Sequence, residues 1–505
     1  MEESKSRCKV CVTGGAGYIG SALVHSLLQK GYIVHATLRN LGDESKVGLL
    51  KGFPYAEERL HLFEADIYKT QEFEQPIQGC KIVFHVATPL QHTTGYKYND
   101  TIEATINAVK KIADVCIKSG TVKRLIYTAS VVAASPLKED ESGYKITMDE
   151  SCWTPLHINV PYSNNYVEEY TEAKTKAEQE ILKFGEEKAS ELEVITLGCG
   201  LVGGGGHLPY TTGSVMVLIS QVINNPTQYH LLRYLEELLG KIPIVHIEDV
   251  CRAHIFCAET PLVNGRFLCS SSYISSVEMA KYYQENYPQF HLNQEFLEGP
   301  AREIKWGSTK LEDKGFSYKH DMKTILDDCI KCAKRSGNLL SIPTASRPDI
   351  MFAVCVCARY QVRPKESHLQ AIKRIFKYLN GQPRLGLWYP NESPFDLAAY
   401  TGSDYGGANL DRKSTSGGCQ FLGARLVSWQ CKKQTTVSQS TIEAEYIAVS
   451  HCCSQVLWIQ NQMLDYGLSF LQTPIYIDNN SAISIVNNQV KHSKTKHIEI
   501  RITTR

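Results

Sequence analysis

The chain has 505 residues, of which 43% are hydrophobic and 21% charged. That length exceeds what one hydrophobic core organises, and that composition excludes a mostly disordered chain. Lys and Arg number 54 against 53 Asp and Glu, for a formal net charge of +1, so no global positive field exists to hold nucleic acid.

No run of about 18 apolar residues occurs, so no membrane span is expected. The polar stretch Met1 to Lys9 lacks the apolar centre of a secretion signal, which makes the cytoplasm the default expectation. Seventeen cysteines, an odd number, then read as reduced thiols. Cys8 and Cys11 fall on a strand, where i and i+3 point to opposite faces and cannot share a metal. Cys329 and Cys332 have no matching second pair. All four read as small buried hydrophobes, and no metal site is expected from them.

In chain order, the apolar runs Lys9–Thr13, Tyr32–Leu38, Leu60–Ala65, Ile82–Ala87 and Arg124–Ala129 predict strands. Helical patterns alternate with them at Gly17–Lys30, Asn99–Lys118 and Tyr166–Phe184, and a further strand is expected at Glu193–Leu197. Continuous apolar strands between amphipathic helices imply a doubly wound parallel sheet, an α/β fold of Rossmann type. The glycine run Gly203–Gly206 follows. Mixed helices and short strands then suggest a smaller substrate lobe at about residues 200–300. Ser336, Gly337, Ser341, Pro343 and Pro348 mark a boundary near residue 340. Beyond it the expectations are a helix at His368–Leu379 and a hairpin of Gly386–Tyr389 with Phe395–Tyr400. A second hairpin, Cys419–Leu422 with Arg425–Trp429, is followed by a helix at Ser440–Asp465, a strand at Ile475–Ile477 and a helix at Ser481–Asn487. These form a separate α/β unit over 341–505.

The run from Thr13 to Gly20 (Thr-Gly-Gly-Ala-Gly-Tyr-Ile-Gly) joins the first strand to the first helix. Gly14 permits the tight turn, Gly17 admits a pyrophosphate to the backbone, and Gly20 lets the helix pack on the strand. Tyr18 and Ile19 share this loop, and the phosphates meet the positive helix end. The second strand ends Thr37-Leu38-Arg39-Asn40, without the carboxylate that binds a ribose hydroxyl in NAD sites. Arg39 offers a planar fork to a 2′-phosphate, and Lys46 a second positive charge, so NADP(H) is the expected cofactor. Tyr170 and Lys174 lie one helical turn apart on one face. An ammonium about 5 Å from the phenol would lower its pKa by at most about two units. Tyr170 then donates a proton to a carbonyl oxygen that Ser130 holds. Tyr162 and Tyr166 have no lysine four residues on and are weaker candidates.

These residues resemble the extended short-chain dehydrogenase/reductases. The closer likeness is to the plant group of dihydroflavonol, anthocyanidin, vestitone and HC-toxin reductases, over about residues 5–340. Phe63-Glu64-Ala65-Asp66, Phe84-His85-Val86-Ala87-Thr88-Pro89 and Val245-His246-Ile247-Glu248-Asp249-Val250 carry it. The resemblance implies that Asp66 and Ile67 border the adenine. It implies that Val86, Ala87 and Thr88 line the cofactor, that Lys174 also grips the nicotinamide ribose, and that Asn107 anchors a proton-relay water. Two departures touch the substrate: Ser135 replaces an asparagine, and Gly198 stands for a proline near the nicotinamide. The expected activity is NADPH-dependent reduction of a small plant carbonyl compound, flavonoid- or phenylpropanoid-like.

Residues of about 341–505 resemble the connection segment and ribonuclease H of a copia-type retrotransposon polyprotein. Ser346-Arg347-Pro348-Asp349-Ile350, Asp411-Arg412-Lys413-Ser414-Thr415-Ser416-Gly417-Gly418 and Asp478-Asn479-Asn480-Ser481-Ala482-Ile483 carry that likeness. It implies that Glu445, Asp478 and Glu499 are vestiges of a two-metal carboxylate cluster. Gly402 stands where the family has an aspartate, and Asp404 lies about 7 Å further along the strand. A degraded, truncated domain is therefore expected, with no bound metal and no nucleic-acid partner despite Lys491, His492, Lys494, Lys496 and His497. The alternatives are a nuclease acting on RNA·DNA hybrids with the reductase as passenger, or a non-functional fusion.

Overall fold

A computed structural model of the chain describes residues 8–88, 100–261, 263–290, 292–335, 347–360, 365–382, 385–390, 393–408, 411–465, 468, 470 and 472–486. The chain divides into two compact units, Met1–Ser336 and Gly337–Arg505.

The first unit opens with β1 (Lys9–Thr13), β2 (Ile33–Leu38), β3 (Leu60–Glu64), β4 (Ile82–His85) and β5 (Arg124–Ser130). The short β6 (Thr147–Met148) precedes β7 (Glu193–Cys199). β8 (Leu201–Gly203), β9 (Ile242–His246), β10 (Gly265–Cys269), β11 (Ser272–Ile274) and β12 (Lys305–Trp306) complete the strands. Seven of them make one sheet in the order β10-β7-β5-β4-β1-β2-β3, every pair parallel. β1 has β2 on one side and β4 on the other. The winding reverses there, which opens a crevice at the carboxyl ends of these strands.

Both faces of this sheet are covered, which is why its strands read as continuous apolar runs. Val10, Val12, Val34 and Phe84 pack with Leu23 and Leu27 of α1 (Tyr18–Gln29). Cys11, Val83 and Leu125 pack on the other face with Val109 and Ile112 of α3 (Thr101–Lys118) and Ile181 of α4 (Asn165–Glu187). Between them in sequence lies the short α2 (Glu44–Lys51). α3 and α4 begin where Asp100 and Asn164 accept the backbone N–H groups of Glu103 (2.7 Å) and Val167 (3.2 Å). β4 ends at His85 rather than continuing to Ala87. The Thr13 hydroxyl oxygen accepts the N–H groups of Val86 (3.1 Å) and Ala87 (3.0 Å) and takes them from the ladder.

The lobe is not one run of chain. β8, β9 and β11 form its own sheet, in the order β11-β9-β8, next to α5 (Pro226–Leu239). α6 (Ile247–Glu259) and β10 return to the main sheet in between, where β10 pairs with β7. A buried ion pair fastens this return. Glu178 of α4, fully buried, accepts Arg266 Nε (3.2 Å), Arg266 Nη2 (3.2 Å) and the Thr196 hydroxyl (2.7 Å). Arg266 also donates to the carbonyls of Ala133, Glu150 and Cys152, and its guanidinium lies 3.6 Å from the Trp153 ring centroid.

In the second unit β13 (Leu397–Ser403), β14 (Thr415–Leu422), β15 (Arg425–Lys433) and β16 (Ile475–Ile477) form a sheet in the order β15-β14-β13-β16. The first three pair antiparallel, and β16 joins β13 in parallel. Its helices include α7 (Met351–Ala358), α8 (Glu366–Gly381) and α9 (Thr441–Asp465). The hairpin expected from Gly386–Tyr389 does not form. That stretch has no strand partner and leaves Trp388 83% exposed, while β13 pairs with β14 and β16 instead. All seventeen cysteines are free thiols. Among the described residues no helix is long and apolar enough to cross a membrane.

Candidate active site

A cavity of about 890 Å³ lies at the reversal point of the sheet. Gly14, Gly17, Tyr18, Ile19 and Gly20 form one end. Gly14 has φ +67°, a left-handed conformation that glycine adopts without strain. A Cβ on Gly20 would overlap the Gly14 carbonyl oxygen, so only glycine lets α1 start this close to β1. The first turn of α1 has no side-chain cap and no acidic residue. Its free N–H groups and positive helix end suit an anionic pyrophosphate. The Gly14 N–H donates to Thr37 Oγ1 (3.2 Å) and the Gly15 N–H to the Thr37 carbonyl (2.9 Å), which pins the turn to β2. The Tyr18 hydroxyl reaches away from the loop and donates to the Gly204 carbonyl (2.7 Å).

Arg39 and Lys46 line the cavity beyond β2, and both are exposed. Lys46 is not a free charge. It pairs with Asp43 (2.9 Å), which also lines the cavity and caps α2 through the Lys46 N–H. Hydrogen bonds from Ser45 and Lys46 push the Asp43 carboxyl down to about 2. The strand end Thr37–Asn40 carries no acid, as read from the sequence, but Asp43 beyond it adds a carboxylate to this corner. Ile67, Val86, Ala87 and Thr88 line the cavity. Asp66 does not: its carboxylate accepts the Tyr68 N–H (3.1 Å).

Ser130, Tyr170 and Lys174 converge at the other end. β5 delivers Ser130, whose oxygen accepts the Val132 N–H (3.4 Å), and α4 delivers the other two. Tyr170 and Ser130 are hydrogen-bonded through their side chains. Burial pushes the Tyr170 phenol up to about 12, and the Ser130 bond only partly opposes this. The phenol was expected to be acidified by Lys174; burial instead pushes it up.

The Lys174 ammonium is itself buried and pushed down to about 8 by desolvation. It donates to Thr88 Oγ1 (2.8 Å), the Thr128 carbonyl (2.9 Å) and the Tyr127 hydroxyl (3.5 Å). These three bonds use all three of its N–H donors. A ribose hydroxyl would have to displace one of them.

Several positioning groups gave no sequence signal. Thr13 sits where β1 meets β4 and holds His85 Nδ1 (2.9 Å) as well as two backbone amides. Burial, with Lys174 adding to it, keeps His85 neutral by pushing it down to about 3. A threonine at a strand end is too common a pattern to single out. Tyr127, beneath Lys174, was hidden in an apolar run. Other expected residues lie elsewhere. Asn107 donates to the Glu103 carbonyl (3.0 Å) within α3 and does not line the cavity. Ser135 is buried and donates to the Leu238 carbonyl (2.5 Å). Gly198 lies inside β7 between Ala129 and Leu268, and Cys199 and Gly200 face the cavity instead. Tyr162 and Tyr166 are exposed and outside it. Val131, Val132, Leu235, Leu239, Ile242 and Pro243 give the remaining wall an apolar character, with Tyr210 and Ser214 as polar exceptions.

Residues 10–267 match the family model described as the NAD dependent epimerase/dehydratase family. The chain belongs to that family. Among its relatives, a Ginkgo biloba protein that carries the anthocyanidin reductase name is 36% identical over 331 residues, 65% of this chain and 95% of that one. Anthocyanidin reductase ((2S)-flavan-3-ol-forming) from Vitis vinifera is 33% identical over 330 residues, 65% of this chain and 96% of that one. The crystal structure of vestitone reductase from alfalfa, Medicago sativa, superposes with a TM-score of 0.54 at 31% identity, covering 65% of this chain and 99% of that one. The matched residues fall within the first unit.

In the second unit, Glu445 of α9 is buried and accepts the Ser403 N–H (2.9 Å), and Oε2 has no hydrogen-bond partner. Burial pushes its carboxyl up, and the charge of Asp478 adds to this. Gly402 pairs with Gly417, and a Cβ there would meet nothing within 4 Å. Asp404 accepts the Thr415 N–H and so serves the end of the β13–β14 ladder. Glu499 and the basic run with Lys491, His492, Lys494, Lys496 and His497 lie outside the described residues.

Proposed function

We propose that the first unit is an NADPH-dependent reductase of a small, largely apolar carbonyl compound of flavonoid or phenylpropanoid type. One observation carries the reading: Ser130, Tyr170 and Lys174 share a cavity with a glycine cradle built for a pyrophosphate. The cavity walls fit the dinucleotide. Gly14, Gly17, Ile19 and Gly20 would hold the phosphates, Arg39 and Lys46 a 2′-phosphate, and Ile67, Val86, Ala87 and Thr88 the flanking rings and riboses.

When bound, NADPH supplies the hydride. The chain's own residues manage the proton and the orientation. Ser130 donates a hydrogen bond to the carbonyl oxygen and holds it beside Tyr170. With its phenol pushed up to about 12, Tyr170 stays protonated at neutral pH, as a proton donor must be. As negative charge develops on the substrate oxygen, Tyr170 gives it the proton. The Lys174 ammonium, fixed beneath the site by Thr88, Tyr127 and Thr128, stabilises the phenolate that remains. The relatives' names point to flavonoid substrates, and the apolar wall suits a fused or linked aromatic ring system.

The test is NADPH consumption with a panel of flavonoid, phenylpropanoid and simple aromatic carbonyls. Tyr170→Phe should lower kcat by roughly 10²- to 10⁴-fold, the usual worth of a positioned proton donor. Full activity in that variant would overturn the assignment.

For the second unit we propose a ribonuclease H-like remnant of a copia-type element that no longer cleaves. Its support is the strand order with β16 parallel to β13, the neighbouring acids Glu445 and Asp478, and Gly402 where an acid is needed. A two-metal site lacking one carboxylate loses the close oxygen geometry that Mg²⁺ demands. An RNA·DNA hybrid incubated with the chain and Mg²⁺ should stay intact.

A further inference from the structure

Among the described residues, three metal-ligating side chains converge outside the reductase cavity. His246 ends β9, Glu248 lies in the first turn of α6, and His320 precedes the helix Met322–Arg335. One donor atom from each lies within 4.8 Å of the other two. The two imidazoles stack, with centroids 4.0 Å apart and planes at 22°. Asp249 of α6, fully buried, accepts the backbone N–H groups of Lys319 (3.0 Å) and His320 (2.9 Å) and so brings His320 to this helix. The same carboxylate lies 3.1 Å from His320 Nδ1. A carboxylate only accepts, so Nδ1 carries the ring proton and Nε2 keeps its lone pair. That Nε2 is 3.4 Å from Glu248 Oε2. A tetrahedral ion about 2.0–2.1 Å from both atoms needs an edge of about 3.3–3.4 Å, so this pair already stands at ligand spacing.

His246 is 2% exposed, and its Nε2 has no hydrogen-bond partner. Asp328 Oδ2 lies 3.4 Å away without aligning for one. Nδ1 accepts the Glu248 N–H (3.2 Å), which leaves the ring proton on the unpartnered nitrogen. A buried donor without an acceptor is costly. An ion at Nε2 removes that cost and moves the proton to Nδ1 at the expense of the Glu248 bond. Burial pushes His246 down, with His320 adding to it, so the ring is neutral at neutral pH, as a ligand must be. Arg252 (2.6 Å) and Lys331 (2.8 Å) offset Asp249 and Asp328, and Glu248 adds a negative charge at the rim.

We propose that His246, Glu248 and His320 bind one divalent ion of the zinc class, with water in the fourth position. Two imidazoles and one carboxylate suit Zn²⁺ and its transition-metal neighbours, whereas Mg²⁺ and Ca²⁺ prefer oxygen alone. The ion's role is structural. It clamps the segment carrying His320 to the end of β9 and the start of α6. The His246 ring also lies against Gly204, where a Cβ would overlap it, and the Gly204 carbonyl accepts the Tyr18 hydroxyl. The clamp therefore braces the turn on which the phosphate loop leans.

The test uses the full chain, stripped of metal, with Co²⁺ and Zn²⁺ as probes. Cobalt reports its own ligands: nitrogen and oxygen give weak d–d bands, and thiolates add an intense near-ultraviolet charge-transfer band. The spectrum thus separates this site from the seventeen free cysteines. One equivalent of Co²⁺ should bind with d–d bands alone. Zn²⁺ should displace it, and Mg²⁺ and Ca²⁺ should not. His320→Gln should weaken binding by at least the roughly 10- to 100-fold that loss of an outer partner costs. The Glu248 side chain is 68% exposed, so Glu248→Gln leaves the fold intact and should weaken the same equivalent. Zn²⁺ should raise the thermal midpoint of the wild type and of neither variant. The inference fails if the tightest equivalent shows the thiolate band. It fails equally if either variant binds as tightly as the wild type, or if neither ion binds at micromolar concentration.

Discussion

Spacing told which side chains share a face, but not how deeply each is buried, and burial decides their acidities. Tyr170 and Lys174 were legible as a pair one turn apart. Their shifts, up to about 12 and down to about 8, come from the packing around them and appear in no local pattern. Lys174 gives a pH signature with a definite sign. Its unfolded pKa is near 10.4. Between about pH 8 and 10.4 the unfolded chain holds the extra proton, so this group's contribution to stability rises with pH across that window and is lost as pH falls to 8. Denaturant titrations of the wild type and Lys174→Met at pH 7 and 9.5 should show the wild type gaining about 2 kcal/mol relative to the variant at the higher pH. In the same window kcat/KM for reduction should decline above about pH 8 as the ammonium is lost, while Tyr170 stays protonated. Asp43 was missed because it lies past the strand end where an acid was sought, although an Asp opening a helical pattern signals a cap. Asp43→Asn keeps a capping oxygen and frees Lys46. It should lower KM for NADPH and leave KM for NADH unchanged, measured side by side.

Whole elements were the most readable level of the sequence where burial is two-sided. Six of the seven parallel strands, all but β10, announce themselves as apolar runs, most of them because neither face meets water, whereas Gly386–Tyr389 shows the opposite case. Its aromatic and apolar residues suit a strand, but no strand pairs with them, and Trp388 and Tyr389 stay exposed. Strand propensity needs a neighbour to act on. The interruption of the lobe by α6 and β10 was likewise invisible, since a return to the main sheet is a long-range pairing. The link that secures it, Arg266 to Glu178, joins β10 to the same helix that carries Tyr170 and Lys174. Glu178→Leu should leave the guanidinium buried without its carboxylate and cost about 3–5 kcal/mol, measured by denaturant midpoint. Some activity loss should accompany it, because α4 positions the proton donor.

At the scale of the molecule, every residue that lines the reductase cavity falls between Gly14 and Pro243. A chain ending at Arg335 should therefore keep kcat/KM for NADPH-dependent reduction within about twofold of the full chain. A large loss on removing residues beyond 335 would mean that the second unit contributes to the first. Within the first unit, a hydrogen bond reaches from the phosphate loop to the lobe: the Tyr18 hydroxyl on the Gly204 carbonyl, in a glycine run where a Cβ on Gly206 would collide with the Tyr18 ring. The loop that would anchor the nucleotide and the lobe that adds Tyr210 and Ser214 to the cavity wall are thus tied together through Tyr18. Occupancy on one side of that tie bears on the other, so each guest should alter how fast the other departs.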